Sequence, residues 1–349
     1  MTAPTSFAQI PMQSVGPLKL FGDVQAENLQ VPLATYETPL WPSVARGARV
    51  THHAGGIRVT IIDDRMTRSI LLEADNAAQA HQAAQSLQNR QAELQALVSQ
   101  SSRFAQLLAL HSQIIGKLLY LRLEFQTGDA SGHNMVTHAA DRLIPWILAQ
   151  YPQLHYVSIS GNYCTDKKVS AVNGILGRGK NIVCETTLPR KLCQRFLKTP
   201  PEALSNLHLK KNLLGSIVSG GLRTANAHVA NMLLAFYLAT GQDAANIVEG
   251  SQAINHVEVT DEGDLYFSTT LPNLIVGTVG NGKGLNFVQT NLEQLGCTDS
   301  EQTPGDNARR LACIAGAIAL CGELSLLAAQ TNPGELMAAH LKFERQNPA

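Results

Sequence analysis

An excess of charge of either sign is missing from this sequence. Its 349 residues carry 27 Lys and Arg against 27 Asp and Glu, and the pI is near 7.2. Without a basic excess there is no electrostatic footprint for nucleic acid. Paired cysteines are missing too. The thiols at 164, 184, 193, 297, 313 and 321 contain no Cys-x-x-Cys and no zinc spacing with histidine. That argues against a disulfide framework and points to a reducing compartment. Met1 to Gln13 lack a basic patch followed by an apolar core, so no signal peptide is expected. The longest apolar stretch, Leu311 to Gly322, is bracketed by Arg309, Arg310 and Glu323 and falls short of the roughly 20 residues a bilayer requires. The expectation is a soluble, cytoplasmic protein without membrane contact. Internal repeats and low-complexity tracts are also missing. What is present is length enough for two domains, with a hydrophobic content of 44% to fill their cores.

Residues 75 to 115 are rich in Ala, Gln and Leu, with Leu87, Leu94, Leu97 and Val98 at helical spacing and Asp75 or Asn76 as N-cap. Leu119 to Phe125 alternates as a strand does, residues 132 to 150 read as a helix containing Pro145, and 154 to 159 as a strand. That succession predicts a compact α/β unit inserted into a larger domain. In the larger part, Asn226 to Thr240 is apolar almost all round, which places a helix in a domain interior. Strands are expected near 254–260 and 264–271 around the turn Asp261-Glu262-Gly263. A long helix then runs from about Asn307 to Gln330, stopped by Asn332-Pro333-Gly334.

The densest chemistry lies in Ser160-Gly161-Asn162-Tyr163-Cys164-Thr165-Asp166-Lys167-Lys168, on the loop leaving the 154–159 strand. An acid, two adjacent amines and a hydroxyl share one loop, and a fixed cation of this kind meets developing oxyanion charge. A lone Asp-Lys-Lys is ordinarily a solvated turn; the nine-residue string is not. Gly128-Asp129-Ala130-Ser131-Gly132-His133-Asn134 stands between a strand and a helix, where glycines admit a ligand close to backbone and a helix N-terminus favours phosphate. It is not Gly-x-Gly-x-x-Gly. Glu37 follows an apolar run, and a carboxyl among apolar neighbours tends to stay protonated. Asp243 and His340 read in isolation as a turn residue and a tail residue.

The loop at 160–168 resembles the substrate loop of the 3-hydroxy-3-methylglutaryl-CoA (HMG-CoA) reductase family. The resemblance runs from about Val15 to Arg345, through Ala34-Thr35-Tyr36-Glu37, Asp64-Arg65-Met66-Thr67-Arg68, Ser102-Arg103-Phe104-Ala105, Gly177-Arg178-Gly179-Lys180, Asn226 to Asn231, Gly241-Gln242-Asp243 and Gly277-Thr278-Val279-Gly280. It implies an α+β fold: a large substrate domain (residues 1–69 and 159–349) around a buried central helix, with a small ferredoxin-like cofactor domain (70–158) inserted. It implies Glu37, Lys167, Asp243 and His340 as the catalytic group, with Asp243 bonding both Lys167 and Glu37. Arg68, Ser160, Asp166, Lys168, Lys211 and Asn231 would grip the hydroxymethylglutaryl part. Ser102, Arg103, Phe104, Asp129, Ser131, Gly132, His133, Asn134, Val279 and Gly280 would hold NADPH, in preference to NADH, Arg103 meeting the 2′-phosphate. No metal is implied. Partners would be HMG-CoA, coenzyme A and a second copy of the chain, in a dimer or tetramer with shared sites.

Ser131 and His133 stand where the family commonly has methionines, and Arg223 and Thr224 replace smaller residues. Two alternatives stay open on the sequence: a reductase of a different acyl-CoA thioester, and a catalytically silent relative that binds coenzyme A thioesters.

Overall fold

The computed structural model describes residues 6–100, 102 and 104–344. Arg103 lies outside the described residues, as does the side chain of His340. The chain opens with β1 (Met12–Gly22), β2 (Ala26–Ala34), α1 (Leu40–His53) and β3 (Ile57–Glu73). Next come α2 (Ala77–Asn89), α3 (Gln91–Ser99), β4 (Gln106–Ile115), β5 (Leu118–Gln126), α4 (His133–Gln150) and β6 (His155–Ser158). The remainder is built on β7 (Gly179–Leu188), α5 (Val229–Ala239), β8 (Ile254–Val259), β9 (Leu265–Leu274), α6 (Asp306–Gln330) and α7 (Glu335–Glu344).

Strand β3 organises the molecule. Its first half pairs in parallel with β1 and antiparallel with β7, in a mixed sheet ordered β2-β1-β3-β7-β9-β8. From Met66 onward the same strand pairs antiparallel with β5, and its last residues with β6, while β4 pairs with β5. Two hydrophobic cores follow. One gathers Leu18, Val44, Ile182, Phe236, Phe267 and most of α6. The other gathers Ile70, Leu87, Leu94, Leu121, Phe125 and Leu143. Met66 already belongs to the second core while Val59 belongs to the first.

The composition of 75–115 suggests helix throughout, and the structure corrects this. Asn76 caps α2 by accepting from the Gln79 amide at 3.0 Å, but helix ends with α3. Gln106–Ile115 is a strand because it folds back on β5 through a turn at Gly116, where φ is +59°. Pairing with a buried neighbour outweighs weak local helix propensity.

Helix α6 is 25 residues long and apolar enough to cross a membrane by length and composition, which the run 311–322 alone does not suggest; 94% of its apolar 18-residue window is buried inside the protein. Small residues let its neighbours approach. A Cβ on Gly47 of α1 would lie 2.1 Å from the Cys321 carbonyl oxygen, and one on Gly322 would lie 2.4 Å from Met232 Sδ of α5. Its N-terminus is held from the turn between β5 and α4: Asp129 accepts from the Gly305 amide at 2.9 Å and the Ala308 amide at 3.0 Å.

Candidate active site

The loop 160–168 is held from below by buried ions. Asn162, Thr165 and Lys167 all have positive φ, at +57°, +45° and +54°, a conformation that costs L-residues roughly 1–2 kcal/mol each. Compensation comes from hydrogen bonds. Arg122, wholly buried on β5, donates to the carbonyls of Tyr163 (2.8 Å) and Gly177. Arg178, 1% exposed, donates to the Thr67 carbonyl and hydroxyl at 2.8 Å each and to Asp166 Oδ1 at 2.6 Å. The Lys167 amide donates to Glu249 Oε1 at 3.1 Å, and Asn173 Nδ2 to the Thr165 carbonyl at 3.1 Å.

Held this way, Lys167 points its amine at Asp243, 2.7 Å away. The Asp243 carboxylate, with Asp166 and Glu249 nearby, keeps that amine charged beyond its ordinary range. Burial works against ionisation of Asp243, but Lys167 and the Ala245 amide outweigh it and hold its carboxyl below the usual value. Asp166 behaves similarly: burial opposes, while His133 and Arg178 hold it well below the usual carboxylate range. His133 Nε2 stands 3.6 Å from Asp166 Oδ1.

Lys167 and Asp243 line a cleft of about 450 Å³ together with Arg68, Ser131, Gly132, His133 and Asn134. The N-terminus of α4 opens into it, with Gly132 at φ +94° as the cap residue. A second cleft of about 600 Å³, lined by Phe104, Asp129 and Thr298 among others, adjoins the first along Val279, Gly280 and Lys283. The segment 277–280 is laid against the 128–132 turn: Thr278 donates to the Asp129 carbonyl at 2.8 Å, and Ala130 bridges Val279. This cradle of glycine backbone, helix N-terminus and buried lysine fits an anionic dinucleotide. Ser102 Oγ accepts from the amides of Phe104 and Ala105 at 3.2 and 3.1 Å, shaping the approach to the second cleft. Among the described residues no group of three His, Cys, Asp or Glu side chains is placed to hold a metal.

Glu37 is elsewhere. It accepts from Asn231 Nδ2 at 2.8 Å and lines a separate cleft of about 270 Å³ with His228, Arg46, Glu335 and Phe343. Helix α7 closes this cleft through Arg46–Glu335 (2.6 Å) and Thr38 Oγ1 to the Phe343 carbonyl (3.0 Å). Lys211 belongs to this side: burial lowers its amine from the ordinary value against the raising effect of Glu323. Glu323 in turn accepts from the His228 amide at 2.6 Å. The expectation that Asp243 bonds both Lys167 and Glu37 is therefore not met within one chain; Asp243 meets Lys167 and the Ala245 amide.

Ser160 sits half-buried at the loop's start, and its amide donates to Ser158 Oγ at 3.1 Å. Lys168 is exposed, its amine on the Asp166 carbonyl at 3.0 Å. Arg223 folds back onto the Gly174 carbonyl at 2.8 Å, outside the lining of either adjoining cleft.

Sequence reasoning assigned no role to Arg122, Arg178, Glu249 or Lys283. A signal existed for the first: Leu119-Tyr120-Leu121-Arg122-Leu123-Glu124-Phe125 puts two charges on one face of a strand that is otherwise core.

Comparison with known proteins gives the family. The sequence model of the hydroxymethylglutaryl-coenzyme A reductase family matches residues 3–345. The chain is 44% identical over 322 residues to the 3-hydroxy-3-methylglutaryl-coenzyme A reductase of Pyrococcus horikoshii, covering 92% of this chain and 78% of that protein. It is 42% identical over 338 residues to the enzyme of Aeropyrum pernix, covering 97% and 80%. Its fold is similar to the class II 3-hydroxy-3-methylglutaryl-CoA reductase of Streptococcus pneumoniae, solved bound to NADPH, with TM-score 0.75 at 19% identity over 94% of this chain and 86% of that one. The α+β chain with its mixed sheet thus has a fold similar to that of a solved reductase. The chain belongs to the hydroxymethylglutaryl-coenzyme A reductase family.

Proposed function

We propose that this chain reduces HMG-CoA to mevalonate and coenzyme A with two equivalents of NADPH. The observation that carries the reading is the 2.7 Å Lys167–Asp243 pair in the cleft that also holds the α4 N-terminus. NADPH, when bound, supplies hydride to the thioester carbonyl and then to the aldehyde. Lys167 meets the oxygen that gains charge, and Asp243 keeps that amine protonated and aimed. Arg68, Ser160, Asp166, Lys168, Lys211 and Asn231 are assigned to the hydroxymethylglutaryl group, whose free carboxylate calls for cationic partners. Ser102, Arg103, Phe104, Asp129, Ser131, Gly132, His133, Asn134, Val279 and Gly280 are assigned to the cofactor. Asp129 does this through its backbone and position, since its carboxylate caps α6. Glu37 supplies the proton to the alkoxide, and His340 protonates the departing thiolate.

Separation of the Glu37–Asn231 group from the Lys167–Asp243 group supports an assembly in which a second copy brings them together, a dimer or a dimer of dimers. The order β3-α2-α3-β4-β5-α4-β6, with sheet order β4-β5-β3-β6, supports a ferredoxin-like unit at 70–158 inserted between 1–69 and 159–349. The burial of α5, which occupies most of 226–240, supports a large domain built around a central helix. The site is assigned to the cytoplasm.

The test is oxidation of NADPH by purified protein given HMG-CoA. The reading requires two NADPH consumed per mevalonate formed, and preference for HMG-CoA over a panel of other acyl-CoA thioesters. Absence of turnover with HMG-CoA alongside turnover of another thioester would move the chain to a different substrate.

A further inference from the structure

The two adjoining clefts share one cation that the catalytic scheme leaves unused. Lys283 is 6% exposed and lines both. Among the described residues no carboxylate stands within ion-pair distance of it; its amine donates to the Gly241 carbonyl. A lysine this deep ordinarily has an anionic partner, because desolvating an ammonium is costly. Burial alone brings its pKa down to about 8, so at neutral pH it still carries charge. One carbonyl occupies one of its three donors. The acids lining the two clefts have other partners: Asp129 caps α6, Asp243 is taken by Lys167, Asp166 by Arg178, and Asp299 accepts from the Glu301 amide.

Its position is fixed by backbone. A Cβ on Gly282 would lie 2.5 Å from the Gly241 carbonyl oxygen, and one on Gly241 would lie 2.5 Å from the Gly282 carbonyl oxygen. Both residues have positive φ, at +84° and +63°. The 280–284 turn and the 241–243 turn therefore touch backbone to backbone, and Lys283 is threaded between them. On one side is the Lys167 cleft, where hydride transfer is assigned; on the other is the Phe104 cleft. A dinucleotide lying across both must put its middle at the shared wall, and the middle of a dinucleotide is its pyrophosphate.

We propose that Lys283 binds the pyrophosphate of the nicotinamide cofactor and so sets the affinity for NADPH and NADH alike. The proposal rests on the reading that these clefts hold the dinucleotide. A charge-assisted hydrogen bond contributes about 1.5–3 kcal/mol, equivalent to a roughly 10- to 150-fold change in affinity.

The experiment is equilibrium titration of the full chain with NADPH and, separately, NADH, without acyl-CoA, reading nicotinamide fluorescence. Lys283→Gln keeps a donor for Gly241 and removes the charge; Lys283→Met is the second variant. Both should stay folded, since no ion pair is broken; Lys283→Gln should melt near wild type, and Lys283→Met, which leaves the Gly241 carbonyl without this donor, somewhat lower. Both should bind NADPH and NADH more weakly by a similar factor, and inorganic pyrophosphate should displace either nucleotide from wild type. Unchanged binding in the folded variants overturns the proposal. A loss confined to NADPH also overturns it, because the lysine would then meet the 2′-phosphate. Wild-type protein that binds neither nucleotide overturns the cofactor reading itself, a result separable from a folded variant that binds normally.

Discussion

Replacing Arg178 by methionine removes the cation that ties three anchors of the catalytic loop together. Its guanidinium lies 2.6 Å from Asp166 and 3.6 Å from Glu249, and donates twice to Thr67, while 1% of the residue is exposed. Methionine fills most of the volume, so the loss is electrostatic rather than a cavity. Breaking a buried pair by deleting one partner costs about 3–5 kcal/mol. At about 2–4 °C per kcal/mol for domains of 150–250 residues, melting should fall by on the order of 6–20 °C. Glu249, wholly buried, is the group left exposed to the penalty. Burial already pushes its carboxyl above the ordinary value, with Arg178 and the Lys167 amide opposing. A carboxyl with a raised folded pKa contributes its stability at low pH and loses it as pH rises through the folded pKa. The Arg178→Met defect should therefore widen from pH 5 to pH 8. Adding Glu249→Gln, which keeps the oxygen that accepts from Lys167, should restore a large part of the melting temperature. Thermal denaturation of the two single variants and the double variant across that pH range is the assay. If Arg178→Met melts like wild type, or if Glu249→Gln adds to the damage instead of relieving it, the buried-charge account of this loop is wrong.

Lys167→Ala should lower turnover roughly 10²- to 10³-fold, the loss typical of one oxyanion donor, while HMG-CoA binding measured by calorimetry changes far less; near-normal turnover refutes the assignment. Gly277→Ala would place a Cβ 2.3 Å from the Ser131 amide nitrogen. It should cost about 1–3 kcal/mol of stability and weaken nucleotide binding more than HMG-CoA binding, a contrast that paired titrations resolve. His208 is buried beside Asn212, and burial lowers its pKa from 6.5 to about 4. The unfolded chain takes up that proton first, so stability should fall as pH drops from about 6.5 to about 4; His208→Gln should flatten that part of the denaturation profile.

Local patterns carried much of the fold in the sequence. The all-apolar α5, the Asp261–Gly263 hairpin and the Asn332-Pro333-Gly334 stop each depend on neighbours in the chain, and each is found where expected. Strand β4 was illegible because its conformation is imposed by β5, not by its own composition. The nine-residue loop was legible as chemistry, but its support was not. Arg122 acts from β5 and Arg178 from the position just before β7, through buried hydrogen bonds that no spacing encodes. Asp129 shows the same limit: its type suggested a ligand contact, while its carboxylate caps a helix 176 residues downstream. The distance between Glu37 and Lys167 is a property of a folded chain, invisible in the order of motifs.

Helix α6 also bears on how the protein is made. On a ribosome it is a membrane-span-like segment, and such a segment exposed to water or to a bilayer invites aggregation or mis-sorting. The elements that pack most extensively against it, α1, β7, α5 and β9, all precede it in the chain. By the time Asp306 to Gln330 emerges, its seat has already been synthesised and has had time to form. Moving α6 ahead of those elements by circular permutation would keep every native contact available, yet would leave this segment waiting for its partners instead of arriving last.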